Sequence, residues 1–202
     1  MKLFRTTLKW IGRGALSAGL SLGLYLGAMQ LTGNVHTVIA GELYRSGQLS
    51  GEMIASLSSS YGIRTILNLR GSNPDKAWYQ DEVEAAARLG IRHIDFPISS
   101  RMRLDHDTAN EIIALMRTAP KPLLIHCMGG ADRSGLVSAL YLGYIADRPH
   151  GVAARQLSLY FGHFAVPVLS KAYAMDLSWD NLLHDKIAVA APVQNPVLTV
   201  SR

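Results

Sequence analysis

The chain has 202 residues, 49% of them hydrophobic and 17% charged, which suits one globular domain with an apolar appendage and leaves no room for a second catalytic domain. The net charge of +5 does not point to nucleic acid, because Lys2, Arg5, Lys9 and Arg13 supply four of those charges ahead of the first acidic residue, Glu42. The single cysteine, Cys127, excludes an internal disulfide framework and any multi-thiolate metal site. A lone thiol also has no intramolecular partner to capture it in an oxidising compartment, so it can stay reduced outside the cytoplasm.

Gly14 to Leu31 runs for 18 residues without a charge. As a helix it would cover roughly 27 Å, close to the hydrocarbon thickness of a bilayer. The four basic residues before it are expected to remain cytoplasmic, which makes the protein a single-pass protein of the inner membrane with its domain outside the cytoplasm, in the periplasm of a bacterial cell. The alternative is a cleaved signal peptide, since Val38, Ile39 and Ala40 offer a small-residue cleavage site. The expected organisation is an anchor or signal segment over residues 1–33, one folded domain over 34–187 and an irregular tail over 188–202.

Residues 38–46 read as the first strand. A helix over 52–60 follows, started near Ser50 and stopped at Gly62. The apolar run 64–69 is a buried strand, 70–75 a loop by its turn residues, 76–89 a helix with Gly90 past its end, and 91–97 a strand. Thr108 and Glu111 have capping-box spacing ahead of an apolar run, so a helix is expected to begin there and to end before Pro120 and Pro122. Residues 123–126 form a short buried strand and 134–146 an apolar helix, with two or three further helices beyond Pro149. Alternating strands and helices predict an α/β fold, a largely parallel central sheet flanked by helices, preceded by the transmembrane helix.

Between strand and helix lies HCMGGADRS, residues 126–134. A thiol attacks phosphorus as the thiolate, and free cysteine is mostly protonated at neutral pH. Cys127 sits just before a helix N-terminus, whose unpaired N–H groups and dipole favour an anion, and six residues ahead of the guanidinium of Arg133. Gly129 and Gly130 allow positive φ, so that the backbone of Met128, Gly129, Gly130 and Ala131 can turn its N–H groups around a phosphoryl group. Arg133 offers a fork of donors to two phosphoryl oxygens, and Ser134 can donate its hydroxyl to the cysteine sulfur. His126 is expected to fix the turn through the backbone rather than to act as a base.

This loop resembles the signature of the protein tyrosine phosphatase superfamily, and within it the dual-specificity and bacterial tyrosine phosphatase-like branches. The likeness extends to Leu43-Tyr44-Arg45-Ser46 and Asn68-Leu69-Arg70. It implies a two-step hydrolysis of phosphomonoesters through a phosphocysteine on Cys127, with no metal and no cofactor. Its partners would be a phosphorylated protein or a lipid or glycan phosphate at the membrane surface; a silent phosphate-binding module is the remaining alternative. Most members take a general acid from the loop after the strand that here ends at Pro97, but the matching positions, Ser99 and Ser100, carry no carboxylate. Some bacterial relatives place an aspartate directly before the signature arginine, as Asp132 stands here; Asp105 and Asp95 are the other candidates. Met128 and Ala131 stand where lipid-directed relatives often have lysines, which weakens a phosphoinositide assignment.

Overall fold

The computed structural model describes residues 2–167 and 169–184. The expected tail from 188 onward lies outside the described residues. Three tetrapeptides, β2 (Leu43–Ser46), β3 (Thr65–Asn68) and β5 (Leu123–His126), are buried at every position. Such strands need cover on both faces, and the period-two alternation of side chains shows how it is met. Leu43, Leu67, Leu123 and Ile125 point into one apolar cluster, while Tyr44, Ile66 and Leu124 point into another. With β1 (His36–Ile39) and β4 (Arg92–Asp95) at the edges, the five strands run in the order β1-β2-β5-β3-β4, parallel except for β1.

The second cluster is closed by α2 (Gly51–Tyr61) and α3 (Ala77–Leu89), through Ile54, Ala85 and Ala86. The first is closed by α4 (His106–Thr118), α5 (Asp132–Tyr144) and α7 (Tyr173–His184), which contribute Ile112, Ile113, Met116, Leu136, Leu140, Met175 and Trp179. A short α6 (His150–Ala154) packs beside α5. The long α1 (Lys2–Leu31) precedes the sheet. It is the one helix among the described residues long and apolar enough to cross a membrane, over Gly12–Leu31 with a mean hydropathy of 1.2.

Two expectations are corrected. The first strand is a hairpin: the chain reverses at Gly41, so that β1 pairs antiparallel with β2, and only β2 enters the parallel sheet. The reversal is hidden because both arms carry apolar residues, β1 partly and β2 fully buried, and it rests on a single turn. The helix expected from the Thr108–Glu111 box begins earlier. Asp105 is its N-cap and accepts from Thr108 N at 2.8 Å and Thr108 Oγ1 at 3.0 Å, so Thr108 serves as the donor three residues on. Ser50 caps α2 through Met53 N as expected.

Parallel register places Ser46, Asn68 and His126 side by side at the C-terminal ends of β2, β3 and β5. Cys127 is the next residue, and α5 begins five residues later. That edge of an open α/β sheet is where ligands bind.

Candidate active site

The loop between β5 and α5 is held from outside by its carbonyl groups. Met128 O accepts from Gln48 N at 3.0 Å. Gly129 O accepts from Asn34 Nδ2 at 2.9 Å, and Gly130 O and Ala131 O accept from Arg45 Nη2 at 2.8 and 2.9 Å. With four successive carbonyls bonded outward, the N–H groups of the loop are left to the cavity side, where they can receive an anion. Of the two glycines only Gly130 takes positive φ, at 71°. A β-carbon there would lie 2.5 Å from Gly47 N, so the close approach of the loop to β2 excludes a side chain.

Arg45 is fully buried. Its Nη1 donates to Gln156 O and Gln156 Oε1, both at 2.8 Å, and its guanidinium lies over the Phe161 ring at 4.2 Å. Burial lowers its pKa to about 10, opposed by Cys127 and Asp132, so it remains cationic at neutral pH directly behind the loop. The sequence reading noted Arg45 only as part of a family motif; the signal available was an arginine inside a short buried strand.

Cys127 is 3% exposed and lines a cavity of about 290 Å³ with Gln30, Ser100, Asp132, Arg133, Phe164 and the loop residues Met128, Gly129 and Ala131. The residues singled out from sequence are thus brought together, except that Gly130 lies buried beneath the loop and Ser134 lies behind it. Arg133 is fixed at the cavity edge by donating from Nη1 to Leu69 O at 2.9 Å and Ile98 O at 3.4 Å, which leaves its other donors for a ligand. The hydroxyl of Ser134 donates to Ser46 O at 3.3 Å rather than to the sulfur. Arg70 stacks on Trp78 at 3.5 Å and donates to Gln48 Oε1; burial and the nearby Arg133 lower its pKa, against the pull of Glu82 and Cys127.

The three candidate acids separate clearly. Asp105 caps α4. Asp95 accepts from Asn68 Nδ2 at 2.8 Å and from the Tyr79 hydroxyl, so it ties β4 to β3 and α3. Asp132 lines the cavity, and its Oδ1 is bonded to His163 Nδ1 at 2.7 Å. His163, 4% exposed, bonds through Nε2 to Asp176 Oδ2 at 3.0 Å. Burial works to lower the His163 pKa, but the two carboxylates outweigh it and the net shift is upward. No sequence pattern linked His163 and Asp176 to the loop, since they lie 31 and 44 positions beyond Asp132.

The His126 imidazole does not bond to backbone. Its Nε2 meets Glu82 Oε1 at 3.0 Å, and Glu82 also takes His93 Nε2 at 2.7 Å and Gln48 Nε2 at 2.6 Å. Burial alone would raise the Glu82 pKa, yet the hydrogen bonds from His126, His93 and Gln48 bring it down to about 2. Among the described residues no group of His, Cys, Asp and Glu is arranged to hold a metal ion.

A thiol at the end of a parallel strand, in a loop whose N–H groups are turned inward before a helix bearing an arginine, defines a cysteine-dependent phosphatase of the protein tyrosine phosphatase type. The chain belongs to the family described as "Swiss Army Knife protein, DSP-PTPase phosphatase domain", whose model matches residues 37–175. No curated protein matches it. Among solved structures it is similar to TpbA of P. aeruginosa, with 21% identity over 78% of this chain and 91% of that one and a TM-score of 0.56. It is also similar to the core catalytic domain of the PP-IP phosphatase SIW14 of S. cerevisiae, with 19% identity over 75% and 88% and a TM-score of 0.55. At such identities the likeness is one of fold.

Glu82 makes acid stability testable. A carboxylate whose folded pKa is depressed stabilises the fold above its unfolded value and loses that contribution as pH falls. Wild type should therefore lose stability between about pH 4.5 and about 2 more steeply than Glu82→Gln, and the two denaturation midpoints should converge at the acid end. Parallel midpoints across this window would show that Glu82 does not titrate on unfolding.

Proposed function

We propose that the protein hydrolyses phosphomonoesters through a phosphocysteine intermediate on Cys127. The observation that carries this reading is that Cys127 and Arg133 line one cavity and that the loop carbonyls from Met128 to Ala131 are bonded outward, away from it. In the first step the thiolate attacks phosphorus, while the inward N–H groups of residues 128–131 and the free donors of Arg133 take up the charge that develops on the equatorial oxygens. In the second step water cleaves the S–P bond and releases inorganic phosphate. Ser134, by holding Ser46 O, fixes the loop against β2, and a rotation of its hydroxyl would bring it to the sulfur as the thiolate departs. A purified domain should hydrolyse an aryl phosphate in the presence of a chelator and be inhibited by vanadate, and Cys127→Ser should bind phosphate without turnover. Chelator-sensitive turnover, or activity in Cys127→Ser, would overturn this mechanism.

Asp132 is the general acid in this reading, with His163 and Asp176 as its positioning residues. One carboxyl oxygen is held by His163, which leaves the other for the leaving oxygen. Asp132→Asn should cost at least about 100-fold on a poor leaving group and far less on an activated one. His163→Ala should show the same leaving-group selectivity at about tenfold. Because the His163 pKa is raised above 6.5, its pairing is complete below that pH and is lost as pH rises through the folded value. The alkaline limb of poor-leaving-group turnover should therefore shift in His163→Ala, while that of the activated ester should not. Equal losses on both leaving groups would assign the cluster to loop structure alone.

For the remaining organisation, residues 1–33 act as an uncleaved anchor and the catalytic domain over 34–187 lies outside the cytoplasm. Support comes from the charge asymmetry around the apolar segment and from the continuous helix over Lys2–Leu31. Protease added to spheroplasts should digest the domain; protection would overturn this orientation. The ester is carried by a protein, like the pTyr in a TpbA complex at 19% identity over 74% of this chain and 91% of that one with a TM-score of 0.51, or by a membrane component.

A further inference from the structure

The last two turns of α1 are packed on the domain at the catalytic loop. Tyr25 donates its hydroxyl to Tyr160 O at 2.7 Å. Leu26 and Met29 lie within 4 Å of where a β-carbon on Gly162 would stand, and Met29 is buried. Gln30 reaches Gly129 and lines the cavity that holds Cys127 and Arg133. All four residues belong to the candidate span Gly12–Leu31.

The lengths then place the site. A docked helical stretch from Tyr25 to Leu31 rises roughly 10 Å, and the headgroup layer on one side of a bilayer is about 5–8 Å thick. With those residues docked on the domain, the part of the span left to the hydrocarbon ends near Leu24, and the cavity stands within about 10 Å of that end, at the headgroup layer and not far out in the aqueous phase. The surface around the cavity agrees with such a position. Met128 and Phe164, which line the cavity, and Tyr160, which meets Tyr25 of the helix, are exposed by 66%, 65% and 63%, an apolar rim beside the helix with tyrosines at its level. On the other side of the segment 158–161 lies a groove of about 570 Å³ lined by Val38, Val152, Tyr160 and Phe161 with Arg148 and Arg155, and with no carboxylate, which complements an anionic lipid surface.

We propose that the catalytic cavity takes its phosphomonoester from a lipid of the bilayer that α1 enters. This inference rests on the reading of the loop as a phosphatase site and of α1 as an anchor. The Cys127 sulfur bonds to phosphorus as the P–O bond to the lipid breaks, the lipid oxygen takes a proton from Asp132, and the lipid alcohol stays in the membrane. Water then cleaves the S–P bond, returns a proton to Asp132 and leaves as part of inorganic phosphate. The rim of Met128 and Phe164 contacts the apolar part of the lipid next to its headgroup, and the tether confines enzyme and substrate to one surface.

The test uses the full chain reconstituted in phosphatidylcholine vesicles, with four substrates: phosphatidate in the same vesicles, glycerol 3-phosphate in solution, a phosphotyrosyl peptide and an aryl phosphate. Turnover of vesicle phosphatidate should exceed that of both glycerol 3-phosphate and the peptide by at least about tenfold in kcat/KM. Tyr160→Asp, which places a charge beside the helix without touching the catalytic cavity, should lower phosphatidate turnover several-fold and leave the aryl phosphate unchanged. A peptide preferred over phosphatidate, with the aryl phosphate still hydrolysed, overturns the lipid assignment and leaves the phosphatase standing. Equal turnover of glycerol 3-phosphate and phosphatidate assigns the site to free phosphate esters. Failure on the aryl phosphate as well overturns the phosphatase reading itself.

Discussion

The guanidinium of Arg45 carries the architecture of the site. It is a full charge taken out of water, and it remains cationic because it bonds four times to oxygen acceptors, two on the loop and two on Gln156. Those bonds do two things at once. They turn the carbonyls of Gly130 and Ala131 away from the cavity, which points the loop's donors toward it, and they place a positive charge behind a loop that must hold an anion. The remaining loop contacts serve the same end: Gln48 N holds Met128 O, and Asn34 holds Gly129 O. A loop of Met128, two glycines and Ala131 has no polar side chain with which to fix itself, so its conformation is imposed by β2 and by the residues that follow α1.

Two imidazole–carboxylate clusters flank this core, and they differ in kind. Glu82 gathers His126, His93 and Gln48 at the far side of the sheet, where it fixes the residue before Cys127. It is 1% exposed and outside the cavity, so its action on the thiol runs only through the placement of β5. His163 instead binds a carboxylate that lines the cavity, and Asp176 steadies it from α7. The donors separate the two: Glu82 receives three side-chain partners and is satisfied, whereas Asp132 is held through one oxygen and has the other to spare.

The parallel sheet, the strand-loop-helix frame of the site and the helices 52–60, 76–89 and 134–146 were legible within a few residues because apolar periodicity and turn residues act locally. The hairpin at Gly41 was not, since both of its arms carry apolar residues and the reversal rests on one turn. The cap at Asp105 was displaced by three residues for a similar reason: Asp105 and Thr108 can each cap a helix, and only the backbone decides which one lies outside it.

Cys127, Arg133 and Asp132 could be selected from sequence because a phosphate-binding loop is contiguous, and its chemistry is written in residue types at fixed spacing. Tertiary structure alone decided which neighbours make that loop work. Arg45, Asn34, Glu82, His163 and Gln30 come from five separate segments, brought to the loop by strand register and helix packing. A buried charge or a polar side chain is defined by its partners, and partners distant along the chain leave no periodicity to read. The choice among Asp95, Asp105 and Asp132 shows the same division: the place before the signature arginine put Asp132 first in the sequence, and only the tertiary structure shows that it lines the cavity while Asp105 caps a helix and Asp95 ties strands together.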